Sequence, residues 1–375
     1  MDDNLFMKNL VGHDKIKNRL ERLFLAGKLP HALLFYGPEG TGKEAAGLEI
    51  GKALMCKSEA KPCNKCDSCR LYSNFEHPDF FYLFPIAKPK KDFTGGEWEK
   101  AMNESEVDLY RSELDEKKKD LYHQVNFPRA SVILIGQIRK LIKTSSLTSY
   151  LSGSRFALIS SADTMNKEAQ NSILKLLEEP PNNYFLCLIT SRPDSLLPTI
   201  LSRCQPFYFP VLKRTEIEKG LIEKYKSDPQ KAELTAVQAN GSFQRARDLL
   251  TSGDPARTEA LDGFLVPILK NQPDVIFNFC KKYERTPDKQ FLKNVLIRLD
   301  QWLRDIDLLD NGLEPRHNPD LENRLTRFRN NMSYERLNEL RTHILRSVDL
   351  IDKNVYIDLI LTNLADKFSK HVKIK

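Results

Sequence analysis

The stretch Gly37-Pro-Glu-Gly-Thr-Gly-Lys43 constrains this chain more than any other, because its spacing G-x-x-x-x-G-K is that of a phosphate-binding loop. Glycines let successive backbone N–H groups turn inward towards an anion, and a helix starting at the lysine adds the positive end of its dipole. The flanks supply the context such a loop needs. Ala32-Leu-Leu-Phe-Tyr36 reads as a short buried strand, and a helix is expected from Lys43 to about Met55. Gly37, Gly40, Thr41, Gly42 and Lys43 are therefore the candidate nucleotide-binding residues, with Lys43 reaching for the outer phosphates.

Alternating elements follow. Ile16, Leu20, Leu23 and Phe24 predict an amphipathic helix within 11–27, and Ile135, Ile138 and Ile142 predict another over 133–143. Phe156-Ala-Leu-Ile159 and Tyr184-Phe-Leu-Cys-Leu-Ile189 read as buried strands, with a helix from Glu168 to Glu178 between them. This alternation means a parallel sheet covered on both faces. After Phe209 strand signals fade and helices are expected to the end, with a break near Gly253-Asp-Pro255. The chain thus predicts an α/β P-loop domain over 1–208, a small helical lid over 209–252 and an all-α domain over 253–375. A length of 375 residues fits two or three domains. Residues 84–130 break the pattern. Their Lys88-Pro-Lys-Lys91 and Lys117-Lys-Lys119 are offset by acids such as Glu97, Glu99, Glu113, Asp115 and Glu116, so a solvated inserted segment with at most one helix is expected.

The metal chemistry of the loop is missing. In a working site the residue after the lysine gives a hydroxyl to Mg²⁺, whereas Glu44 brings a carboxylate towards the nucleotide's own charge. A second acidic position belongs at the end of a hydrophobic strand, yet Phe156–Ile159 is followed by Ser160 and Ser161. Asp163 lies two positions further on and reads as a turn or cap residue. Two losses together argue against hydrolysis, and no Mg²⁺ site is expected. Binding of ATP or ADP stays open, since the glycine loop and Lys43 favour phosphates while Glu44 opposes them.

Two further motifs, Leu176-Leu-Glu-Glu-Pro-Pro181 and Ile200-Leu-Ser-Arg-Cys204, stand downstream. With them the chain resembles the delta-prime and tau/gamma subunits of the bacterial replicative clamp loader, a family of AAA+ ATPases. The resemblance runs from Val11-Gly-His13 through the glycine loop to a helical C-terminal region. It implies that Arg203 acts as an arginine finger in a neighbouring subunit's ATP site, where a permanently charged planar fork of donors suits phosphate. It implies that Thr190 or Ser191 stands where a polar group senses nucleotide. At the place of a second sensor arginine, Gly241-Ser-Phe-Gln-Arg245 has Gln244, with Arg245 one residue later. The implied role is a non-hydrolysing delta-prime-like subunit, joined through a 253–375 collar to tau/gamma and delta subunits, that helps place a sliding clamp on primed DNA. The alternatives are an active tau/gamma-like ATPase and a zinc-dependent DNA-binding module.

Cys56, Cys63, Cys66 and Cys69 have six, two and two residues between them. Two-residue gaps turn paired thiolates towards one tetrahedral ion, so four thiolates fit a closed structural Zn²⁺ site, as the family resemblance also implies. Four unligated thiols are the alternative, and His77 is a second-choice ligand. Cys187, Cys204 and Cys280 read as core residues. The N-terminus, MDDNLFMKNL, has acids first and no apolar core, and no run is long enough to span a membrane. A cytoplasmic protein without a membrane partner is expected. The net charge of +7 permits a polyanionic partner without requiring one.

Overall fold

The computed structural model describes residues 7–87, 102–125, 127, 130–145, 149–151, 153–284, 289–334, 337–353 and 355–374. They fall into two compact units, Met1–Ser227 with Ala239–Arg247, and Asp228–Gln238 with Asp248–Lys375. The lysines at 88–91, Gly95-Gly96 and the acids Glu97 and Glu99 of the inserted segment lie outside the described residues.

The first unit is built on strands β1 (Ala32–Tyr36), β2 (Phe80–Leu83), β3 (Ile86–Ala87), β4 (Ala130–Val132), β5 (Arg155–Ile159), β6 (Tyr184–Thr190) and β7 (Gln205–Tyr208). Five of them form one sheet in the order β2-β5-β6-β1-β7, with every neighbour parallel. Helix α1 (Asp14–Leu25) precedes β1, and α2 (Lys43–Met55) follows it over the sequence predicted. Next come α3 (Asp67–Ser73), α4 (Glu104–Lys119), α5 (Ile135–Ser145), α6 (Lys167–Glu178), α7 (Pro198–Leu201) and α8 (Arg214–Tyr225).

Both sheet faces are covered, as the near-continuous apolar strands require. On one, Ala157, Ile159, Leu186 and Leu188 pack with Ile138 and Leu141 of α5 and Ile173, Leu176 and Leu177 of α6. Each such leucine or isoleucine removed from water contributes about 1.5–3 kcal/mol. On the other face α2 lies so close that a Cβ on Gly47 would stand 2.6 Å from Leu158, and one on Gly51 2.4 Å from Phe156. Pairing of Tyr36 with Thr190 and of Ile159 with Leu188 brings the C-terminal ends of β1, β6 and β5 together, the usual ligand side of such a sheet.

Several expectations need correction. Strands β2 and β7 escape the sequence reading; β7 carries Pro206, which the ladder tolerates because β7 is an edge strand. The helix expected from 133 starts at Ile135 because Ala130–Val132 pairs antiparallel with β3. The largest correction concerns the insertion. From 103 to 125 it is not a solvated segment: α4 buries Lys117, the following turn buries Tyr122, and Phe84, Ile86 and Phe127 form a small core against Tyr110 and Leu114. Its polar composition concealed this because the buried groups are lysine and tyrosine, whose polar ends find partners inside.

In the second unit, α9 (Pro229–Gln238) and the end of α10 (Phe243–Ser252) join α11 (Pro255–Thr258), a π-helical turn over Glu259–Leu265, α12 (Val266–Leu269), α13 (Pro273–Glu284), α14 (Lys289–Asp310), α15 (Glu322–Asn331), α16 (Leu337–Asp352) and α17 (Ile357–His371). Trp302, Leu299, Ile306, Ile344, Leu361 and Phe368 are among its core residues. Helices do not run to the end: β8 (Met332–Tyr334) pairs antiparallel with β9 (Val372–Ile374), a non-local ladder that local periodicity does not reveal. Among the described residues, no helix is long and apolar enough to cross a membrane.

Candidate functional site

The glycine loop turns as its spacing requires. Gly37, Gly40 and Gly42 have φ of 136°, 71° and 95°, and a Cβ on Gly37 would lie 2.2 Å from the backbone oxygen of Phe209. Gly42 caps α2, and the buried Thr41 donates its hydroxyl to Pro38 O at 3.0 Å. Lys43 does not extend into open space. Its ammonium donates to Gly37 O at 2.8 Å and to Pro38 O, folding back on its own loop. Burial lowers its pKa to about 8, against the opposing pull of Glu39 and Glu44.

Glu44 and Ser160, which stand where metal-binding groups are expected, are bonded to each other: Ser160 Oγ donates to Glu44 Oε2 at 3.2 Å. The other carboxylate oxygen takes the Tyr82 hydroxyl and stands 3.1 Å from Lys117 Nζ. Lys117 is 1% exposed and also donates to Leu121 O at 2.8 Å and His123 O at 2.6 Å. A side-chain ammonium thus neutralises the carboxylate that follows the loop lysine. Sequence reading missed it, having counted Lys117 as one of a solvated lysine run.

The turn after α4 lines the cleft. Tyr122 Oη accepts from Val11 N at 2.7 Å, and its ring meets that of Phe243 edge-on at 4.5 Å. Asp120 joins the cleft to α8 and α10, accepting from the Tyr225 hydroxyl at 2.7 Å and pairing with Arg247 at 2.8 Å. His123 accepts from Arg247 at 3.3 Å and donates to Glu113 at 2.9 Å. Gln244 lines the cleft and donates to Gln124 at 2.5 Å, while the adjacent Arg245 is not in the lining. The space left beside the loop is about 110 Å³. Pockets for drug-sized ligands are ~300–1,000 Å³.

Thr190, buried at the end of β6, donates to Asp163 at 2.7 Å. Arg192 binds the same carboxylate through two nitrogens, at 3.0 and 2.8 Å. Asp163 does sit in a turn, yet its side chain orients Thr190 instead of capping a helix. Ser191 donates to Glu39 at 3.4 Å. Arg203 lies outside the cleft, exposed after α7, and pairs with Glu178 at 2.8 Å, so the SRC and LLEEPP motifs meet in space.

Cys56, Cys63, Cys66 and Cys69 converge, their sulfurs all within 4.8 Å of one another. Four thiolates at the zinc–sulfur distance of ~2.3 Å would be roughly 3.8 Å apart, so the cluster fits a metal ion with little adjustment. Backbone N–H groups already point at sulfur, from Cys63 to Cys56 at 3.3 Å and from Cys66 to Cys63 at 3.4 Å. The N–H groups of Lys65 and Cys66 lower the Cys63 thiol to about 6. His77 is not a ligand: Ser68 holds its Nε2 at 2.8 Å, and its Nδ1 accepts from Asp79 N at 3.1 Å. Cys187, Cys204 and Cys280 are buried.

The family model described as "DNA polymerase III, delta subunit" matches residues 12–213, a span that holds the glycine loop, the cysteines and both downstream motifs. The chain is 33% identical to DNA polymerase III subunit delta' of Bacillus subtilis, over 57% of this chain and 52% of that protein. It is 32% identical to subunit delta' of Pseudomonas aeruginosa, over 64% of this chain and 62% of that one. Subunit tau of Bacillus subtilis is 25% identical over 67% of this chain and 39% of its own length. The chain thus spans between two fifths and two thirds of the length of these relatives.

Proposed function

Because the chain belongs to the DNA polymerase III delta-subunit family, we propose that it serves as a delta-prime-like subunit of a replicative clamp loader that does not hydrolyse ATP itself. The observation that carries this reading is the hydrogen bond between Glu44 and Ser160, with Lys117 on the same carboxylate. The groups that would hold Mg²⁺ and activate water are replaced by a pair that satisfies itself, so the chain lacks the means to stabilise a transferring phosphoryl group.

Its contribution to chemistry is then made elsewhere. Arg203 is exposed and held by a surface ion pair to Glu178, a contact worth about 0–1 kcal/mol. Exchanging that carboxylate for a neighbour's phosphate costs little, and an arginine finger contributes ~10³–10⁵ in rate. The helical unit is the surface we assign to contacts with tau/gamma and delta subunits, in a cytoplasmic assembly that places a sliding clamp on primed DNA. The cysteine cluster holds Zn²⁺ in a closed shell that ties α2 to α3 and leaves no open coordination position.

The test is twofold. The isolated chain should show no Mg²⁺-dependent ATP turnover. A complex reconstituted with Arg203→Ala should lose most of its ATPase rate while still assembling. Turnover by the chain alone, or an unchanged rate in the Ala complex, would refute the respective half.

A further inference from the structure

The nucleotide cleft of a P-loop domain is normally filled by a diffusible ligand, yet here Lys117, Tyr122, His123 and Gln124 of the insertion line it and leave about 110 Å³. We propose that the cleft is a binding site for a ligand carried by the chain itself: residues 103–125 occupy it as a tethered substitute for nucleotide and hold α8 and the start of α10 against the sheet. The proposal deepens the non-hydrolysing reading of the same site and rests on it.

The substitution is one of kind, group by group. A bound nucleotide brings a flat ring and an accompanying cation, and the segment supplies a counterpart of each. Tyr122 brings the ring, 5% exposed, wedged edge-on against Phe243 at 4.5 Å with the Lys224 ammonium 5.6 Å over its face. Its hydroxyl accepts from the Val11 N–H at 2.7 Å. Asp120, outside the cleft lining, anchors the segment, bound by Arg247 at 2.8 Å and by Tyr225 at 2.7 Å. Lys117 brings the cation, 3.1 Å from Glu44. Each group is satisfied from within the segment or by the elements around it: Asp120 Oδ1 also accepts from Tyr122 N at 2.9 Å, and Asn103 and Glu106 form a capping box that starts α4.

The consequence for the cleft is closure. Lys43 has turned onto Gly37 and Pro38, and Gln244 N donates to Gly40 O at 3.2 Å across the mouth of the loop. A nucleotide would have to displace Tyr122, His123 and Gln124 together. Asp120 ties the segment to Tyr225 of α8 and Arg247 of α10, so these helices are held without a diffusible ligand.

The experiment titrates ATP, ADP and inorganic pyrophosphate into the full chain by calorimetry, with and without Mg²⁺. Wild type should show no saturable binding up to ligand concentrations on the order of 1 mM. A Tyr122→Gly variant, which keeps the Lys117 ammonium on Glu44, with folding checked by circular dichroism, should bind pyrophosphate or nucleotide at least tenfold more tightly. Micromolar binding by wild type would overturn the proposal, as would an emptied, folded variant that binds no better. Should that variant fail to fold, amide exchange decides on wild type alone: the amides of Val11 and of 122–124 should be protected and unchanged by millimolar ATP, and a change on adding ATP would overturn it. If wild type binds ATP without turning it over, the tethered ligand is refuted while the non-hydrolysing reading stands; turnover refutes both.

Discussion

Replacing Lys117 by methionine tests whether the ammonium beside Glu44 organises the site. Lys117 is 1% exposed and the Glu44 side chain 20%, so the pair is largely shielded from water. Removing one member of a buried pair costs about 3–5 kcal/mol, because the other charge is left behind. Two things bear on where this pair falls. Glu44 keeps Ser160 and Tyr82 as donors and has some access to water, which reduces the loss. Leu121 O and His123 O lose their donor at the same time, at about 1 kcal/mol each. A local cost of about 3 kcal/mol is expected. It should be read by native-state amide exchange over 104–125, which reports opening of that segment residue by residue. At about 1.4 kcal/mol per tenfold, exchange in that segment should speed up roughly 100-fold. Adding Glu44→Gln should recover more than half of the loss, since the stranded charge disappears with it. An increase below about fivefold in the single variant, or a double variant as labile as the single one, would refute the assignment.

Other consequences are open to measurement. Lys43 titrates near 8 in the folded chain against 10.5 when free, so between those values the unfolded chain binds more protons and stability rises with pH, by at most about 3 kcal/mol. Lys43→Met should lack that rise, and urea unfolding of both proteins at about pH 7.5 and about pH 10 should show the difference; parallel pH profiles would count against it. Gly37→Ala places a Cβ 2.2 Å from Phe209 O at a φ of 136°, where no side-chain movement relieves it, so a loss of about 2 kcal/mol or more is expected in thermal unfolding. The purified chain should carry about one zinc per molecule by elemental analysis. Cys63→Ser or a strong chelator should remove it and lower the unfolding temperature, whereas full stability without metal would exclude a structural role.

The first part of the fold was legible because its signals are local. The glycine spacing, the buried strand before it and the helix from Lys43 follow from neighbours in sequence, and the three strongest apolar runs became β1, β5 and β6. That Glu44, Ser160 and Ser161 depart from the expected metal-binding pattern was legible for the same reason, since each position is defined by its offset from a strand end. The cysteine cluster needed only its spacing to be noticed, and the sulfurs do converge.

What only the tertiary structure decided is how polar residues distant in sequence compensate one another. Glu44 and Ser160 lie 116 positions apart and bond directly, and Lys117 meets them from an insertion whose charge balance looked solvated. Arg203 finds Glu178, Asp163 orients Thr190, and Arg247, which no local pattern singled out, takes Asp120. The physical reason is that apolar burial leaves a periodic imprint on the chain, whereas a buried charge leaves none. Its partner is chosen by the folded geometry, and a lysine that neutralises a carboxylate inside a cleft is written in the same letters as one that faces water.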